Sequence, residues 1–177
     1  MNSWQRAVHL AAIACVGTLV ACDKQTAPPP SQPVASTPNL PTAAQPKLPT
    51  MKLWLGAEEM NAELALNFTQ QLTGMMFRTN MDQSAGMLFP LPSTQRASFW
   101  MKNCPLPLSV AYISPDGVIQ EIHDLQPQNT NNVTSASANI RFALETSQGW
   151  FSRHNIKPGT IVRTEHGSLM DTFFKNR

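Results

Sequence analysis

From residue 51 onward the apolar positions fall into short runs separated by polar turns, the pattern of a chain built mainly from strands. "MKLWL" (51–55) and "AELAL" (62–66) flank "GAEEMN" and read as a strand pair, although the second run could also open a helix. Asn67 or Thr69 can cap a short helix carrying Leu72, Met75 and Met76. "RTNMDQSA" is a polar loop, and "GMLF" a strand that Pro90 and Pro92 should stop. "ASFWMK" (97–102) and "LSVAYI" (108–113) read as further strands. Ser114-Pro115-Asp116-Gly117 has tight-turn chemistry, because proline fixes φ and glycine admits positive φ. Its hairpin partner is "VIQEIHDL", with Glu121 and His123 on one side.

A long polar loop, "QPQNTNNVTSASA", leads into "NIRFALE", where Ile140, Phe142 and Leu144 point inward and Arg141, Ala143 and Glu145 point the other way. "TSQGWFSRHN" is a short helix anchored by Trp150 and Phe151, and "IVRTE" is the last strand. The pattern therefore predicts a mainly β fold, a sandwich or barrel-like sheet with two short helices, over residues 51–165. Residues 166–177 read as a loosely attached C-terminal tail.

The first 50 residues are of another kind. Arg6 precedes an apolar run, Ala7 to Val20, that is short for a membrane span and reads as a secretory signal over residues 1–21. Leu19-Val20-Ala21-Cys22 is similar to a bacterial lipobox, in which Cys22 is lipidated and becomes the first mature residue. Residues 22–50 hold eight prolines in 29 positions and little to bury, so they read as a disordered linker reaching ~90 Å when fully extended. The expectation is a lipid-anchored envelope protein facing the periplasm. Asp23 favours the inner membrane, with the outer membrane left open.

Removing the signal leaves Cys104 as the single thiol available to the folded part, so no internal disulfide is expected. It also leaves 12 Lys and Arg against 11 Asp and Glu, a balance without a nucleic-acid footprint. The chain holds no P-loop, serine elbow, paired-cysteine site or helical pair of histidines, and no metal or cofactor is expected. Cys104 reads as structural and the methionines as core filler rather than copper ligands. Glu145, ending an apolar strand, should be half-buried and need a partner, for which Arg78 is the candidate.

"TGMMFR", "GMLF", "FWMKN", a "PL" before a strand, and "ALE" followed by "GWFSRHNIKPG" occur in that order. Together they resemble the domain-of-unknown-function 192 family over roughly Met51 to Thr164. The resemblance implies a compact jelly-roll-like barrel, exported or envelope-attached, and implies no activity. It also implies departures: a methionine at 75 where leucine is common, Cys104 for threonine, and Ser109 for aspartate. Because Ser109 cannot ionise as an aspartate does, a shared carboxylate chemistry is weakened relative to a binding role.

The favoured function is binding of a small polar or glycan-like ligand, or a protein partner, through a groove near Trp100. Trp100 would stack on a ring, and Lys102, Asn103 and Ser109 would supply polar contacts, with Arg78, His123 and Glu145 nearby. Two other classes compete. An envelope hydrolase would bring two of Glu145, Asp82 and His123 to one pocket. A pocketless scaffold would show an exposed apolar patch.

Overall fold

The computed structural model describes residues 40–175, so the signal segment, Cys22 and the linker up to residue 39 lie outside the described residues. The chain opens with a hairpin, β1 (Thr50–Leu55) and β2 (Glu58–Leu64). Helix α1 (Phe68–Thr73) follows, closed at its start by a capping box between Asn67 and Gln70. Strands β3 (Ala85–Gln95), β4 (Ser98–Phe99), β5 (Leu108–Ile113), β6 (Ile119–Leu125), β7 (Val133–Thr134) and β8 (Ile140–Ser147) come next. Helix α2 (Trp150–Arg153), strands β9 (Val162–Thr164) and β10 (Gly167–Ser168), and helix α3 (Leu169–Phe174) complete the chain. No helix among the described residues is long and apolar enough to cross a membrane.

Eight strands form one sheet in the order β10-β9-β1-β2-β3-β8-β5-β6, antiparallel except for the β2–β3 pair. The sheet curls into a half-barrel. Near its two edges, the β5–β6 turn meets the segment before β9 through a Val118–Ile161 bridge. Backbone hydrogen bonds from Ile119 N–H to the Thr160 carbonyl (2.9 Å) and from Val162 N–H to the Gly117 carbonyl (2.7 Å) seal this contact. Strands β4 and β7 make a small second layer.

Both faces of the central strands are covered, which is why β5 and β8 read as near-continuous apolar runs. One face packs Leu53, Leu88, Ile113, Phe142, Leu144 and Trp150, with Phe173 and Phe174 against them. The other packs Met87, Phe89, Val110, Tyr112 and Ala143 beneath Met75, Met101, Cys104, Phe99 and Val133.

Several local expectations are corrected. β3 runs through Pro90 and Pro92, because its parallel pairing with β2 ends at Leu88 and its pairing with β8 skips from Pro90 to Gln95. The prolines thus sit where the regular ladder is interrupted. The same irregularity moves Ile140 into the second core, away from Phe142 and Leu144. Of residues 97–102 only Ser98 and Phe99 form a strand, paired with β7 inside the long polar loop. Among the described residues the helices number three, not two, and the C-terminal segment up to Lys175 is not loose. Leu169 is buried, Ser168 caps α3, and Phe173 and Phe174 pack on Phe142. The folded part also starts earlier than residue 51. Gln45 donates to the carbonyls of Gln70 and Gly74, and the Leu48 N–H donates to Glu63.

The closure of the curl rests on Gly117, at φ +79°, where a Cβ would meet the Val162 carbonyl oxygen at 2.8 Å. Gly117→Ala is expected to cost about 1–3 kcal/mol from backbone strain and crowding, read as a lower urea midpoint. An unchanged midpoint would mean the contact between the β5–β6 turn and the chain before β9 is not a stability determinant.

Candidate functional site

The register of the sheet places five residues in one cross-strand row on the second face: Glu63, Met87, Glu145, Val110 and His123. Neighbouring strands lie about 4.8 Å apart, so Glu145 stands about 10 Å from each end of the row. Both ends are internally balanced. Glu63 takes two hydrogen bonds from Arg78, at 2.5 and 2.8 Å, and one from the Leu48 N–H at 2.7 Å. Burial works to raise the Glu63 pKa, but the Arg78 and Leu48 hydrogen bonds hold it below the ordinary value. At the other end His123 Nε2 lies 3.0 Å from Glu121, which also accepts from the N–H groups of Ala136 and Ser137.

Glu145, in the middle, has none of this. It is 4% exposed, and no hydrogen bond or ion pair from the described residues reaches its carboxyl. Its oxygens are not sealed in, because they open on a cavity of about 360 Å³. The end of α1 and the turn after it (Thr73 to Met76) form one wall, Phe89 and Leu91 of β3 another. The segment from Arg96 to Lys102, with Cys104 and Leu108, forms the rest. Burial pushes the Glu145 carboxyl up to about 8, so at neutral pH it is a neutral hydrogen-bond donor. Burial, with a smaller contribution from Glu145, pushes the Cys104 thiol up to about 11, well away from thiolate reactivity. At the mouth, Lys102 Nζ sits 5.4 Å from the Trp100 ring centroid, and Arg96 donates to the carbonyls of Ser135 and Ala136.

The family model described as DUF192, an "Uncharacterized ACR", matches residues 52–164, the sheet and cavity together. The chain belongs to the DUF192 family. No curated protein matches it. Several solved structures are similar to it. One is a candidate transcription regulator from Sinorhizobium meliloti 1021, 28% identical with a TM-score of 0.64, covering 68% of this chain and 98% of that one. Another is a protein of unknown function from Novosphingobium aromaticivorans DSM 12444, also 28% identical, with a TM-score of 0.63 over 68% and 91%.

Within this DUF192 domain the sequence-predicted residues divide. Trp100, Lys102 and Glu145 converge on the cavity. Arg78 pairs with Glu63 of β2 rather than with Glu145. It lines a second cavity, about 710 Å³, that also holds Asp82 and shares Met75 with the first. Asn103, at φ +57°, lends its carbonyl to the Phe77 N–H and so fastens two loops. Ser109 is buried away from the cavity, where its hydroxyl donates to Asp124 and accepts from the Gly149 N–H. His123 faces Glu121 and the Tyr112 ring. Glu145, Asp82 and His123 therefore occupy three separate places, so the acid/base pair that a hydrolase required of them is not assembled. A smaller apolar surface exists at Leu66 and Phe68, beside Pro90, Pro92 and the α3 phenylalanines.

Sequence reasoning missed Phe89, Arg96 and the part played by Met75, Met76 and Met101. These methionines are core by packing and also wall the cavity. The "TGMM" turn could have pointed to them, since Gly74 ends α1 and turns the chain over β3.

A raised carboxyl pKa favours the native state below the unfolded value, near 4.5, and that advantage is lost as pH climbs through the folded value, about 8. Thermal stability should accordingly fall between pH 5 and pH 8, by up to about 1.4 kcal/mol per pH unit. Glu145→Gln, which is neutral throughout, should flatten that slope. Equal slopes in the two proteins would show that Glu145 titrates normally.

Proposed function

We propose that this DUF192 domain is a binding module of the bacterial envelope, held by a lipid on Cys22 and taking a small ligand in the cavity beneath Trp100. The observation that carries the binding reading is the Glu145 carboxyl, buried, unpartnered among the described residues, and open to a chamber with aromatic and thioether walls. A polar group in such a place costs free energy unless something bonds to it. The chamber size falls within the range of small-molecule sites, and its aromatic and thioether walls suit a compact apolar body. Trp100 and Lys102 keep the role expected of them at the mouth, whereas the apolar interior favours such a body over a sugar ring. The anchor rests on the sequence Leu19-Val20-Ala21-Cys22 and the proline-rich segment after it, which would hold the domain clear of the lipid surface.

Two measurements test this reading. Full-length protein, screened by thermal shift against arylalkyl amines, alcohols, acids and disaccharides, should be stabilised by several degrees by at least one class. Ala97→Leu, which narrows the chamber, should abolish the shift. No response from any class, or an equal response in the variant, removes the cavity as the site. Metabolic labelling with palmitate should mark the wild type and not Cys22→Ala, and equal labelling would remove the anchor.

A further inference from the structure

We propose that the ligand of this cavity is an organic cation, a primary ammonium on a compact apolar body, with its charge set against the Glu145 carboxylate. This rests on the cavity being a ligand site and specifies the chemistry it selects.

The groups facing Glu145 define what is missing. Its row neighbours, Met87 on β3 and Val110 on β5, carry no charge. Cys104 is a neutral thiol, and Tyr112 is held neutral by burial while its hydroxyl donates to the Val133 carbonyl. On the same face Arg78 is paired with Glu63 and His123 lies against Glu121, while Arg96 and Lys102, at the cavity mouth, contact two carbonyls and the Trp100 ring rather than Glu145. None of them shifts Glu145, whose only resolved perturbation is burial. Among the described residues Glu145 is thus a buried carboxyl without a counter-charge, and a cation from outside would complete it.

The walls agree. Phe89, Phe99 and Trp100 offer aromatic faces, and Met75, Met76 and Met101 offer polarisable thioethers, a lining that favours a cation carried on an apolar group. An anionic ligand would leave the carboxyl protonated, as it already is at neutral pH, and only a cation couples its own entry to ionisation of Glu145. A neutral alcohol would satisfy one oxygen and supply no charge.

The proton balance follows. At neutral pH the ammonium enters already charged, the Glu145 O–H bond breaks, and its proton passes to a buffer base, so each binding event releases about one proton. No redox step is involved.

The test is isothermal titration of the full-length protein at pH 7, in two buffers of different ionisation enthalpy. The probes are 2-phenylethylammonium, the near-isosteric 2-phenylethanol, and silver(I) as a soft metal ion. The ammonium should bind at least tenfold more tightly than the alcohol and release about one proton, whereas the alcohol releases none. Its affinity should rise about tenfold between pH 6 and pH 7. Glu145→Gln should lose at least tenfold in ammonium affinity, keep the alcohol within about twofold, and retain a cooperative unfolding transition.

Equal affinity for ammonium and alcohol, absence of proton release, or an indifferent Glu145→Gln would each overturn the cation assignment while leaving the cavity a ligand site. Should Glu145→Gln not fold, proton release by the wild type alone decides the question. Failure of both organic probes, together with a blank thermal-shift panel, takes down the cavity reading as well. Stoichiometric silver uptake without any ammonium response assigns the sulfur-lined chamber to a soft metal ion and overturns the proposal.

Discussion

The burial of β8 on both faces is the constraint from which the rest of the domain follows. Phe142 and Leu144 go into one core, while Ala143 and Glu145 point into the other. A strand in the middle of a curled sheet has no solvent face on which to put an ionisable side chain. Glu145 must therefore be neutral, paired, or turned toward a hollow. The structure takes the first and third courses together. Its carboxyl is pushed toward the neutral form by burial and opens on the chamber under Trp100.

The layer over that face explains why a hollow exists there. It is built from a helix end, a glycine turn, a two-stranded ribbon and a proline-flanked loop rather than from a second broad sheet. Such pieces meet the sheet at separate points: Met75 after α1, Phe99 on β4, and Met101 and Cys104 beyond it. The two pairs at the ends of the row mark how the same face handles ionisable groups elsewhere. Glu63 with Arg78 and Glu121 with His123 are each satisfied within the chain. Glu145 differs from both in having no such companion among the described residues.

Much of the architecture was legible in the sequence. Short apolar runs between polar turns located β1, β2, β5, β6 and β8, and the Ser-Pro-Asp-Gly turn was read from its chemistry. What escaped was tertiary. Prolines 90 and 92 signal an end to a strand locally, but here they occupy the interrupted part of β3, a fact set by its neighbours. Phe173 and Phe174 read as a tail because their partner, Phe142, lies about thirty residues away in sequence. Trp100, Lys102 and Glu145 each break their local pattern and line the cavity. Ser109 and Asn103 break it equally and turned out to fasten loops, a distinction that only the hydrogen-bond partners reveal. Arg78 was correctly given a carboxylate, but its partner is Glu63 and not Glu145.

The central claim, that Glu145 is a neutral carboxyl facing the chamber, is tested most directly by its own titration. In protein carrying carbon-13 at the glutamate carboxyls, the resonance missing from Glu145→Gln should titrate with a midpoint near 8. A midpoint in the ordinary carboxylate range, near 4.5, would show an ionised and hydrated or paired group, and would contradict the account.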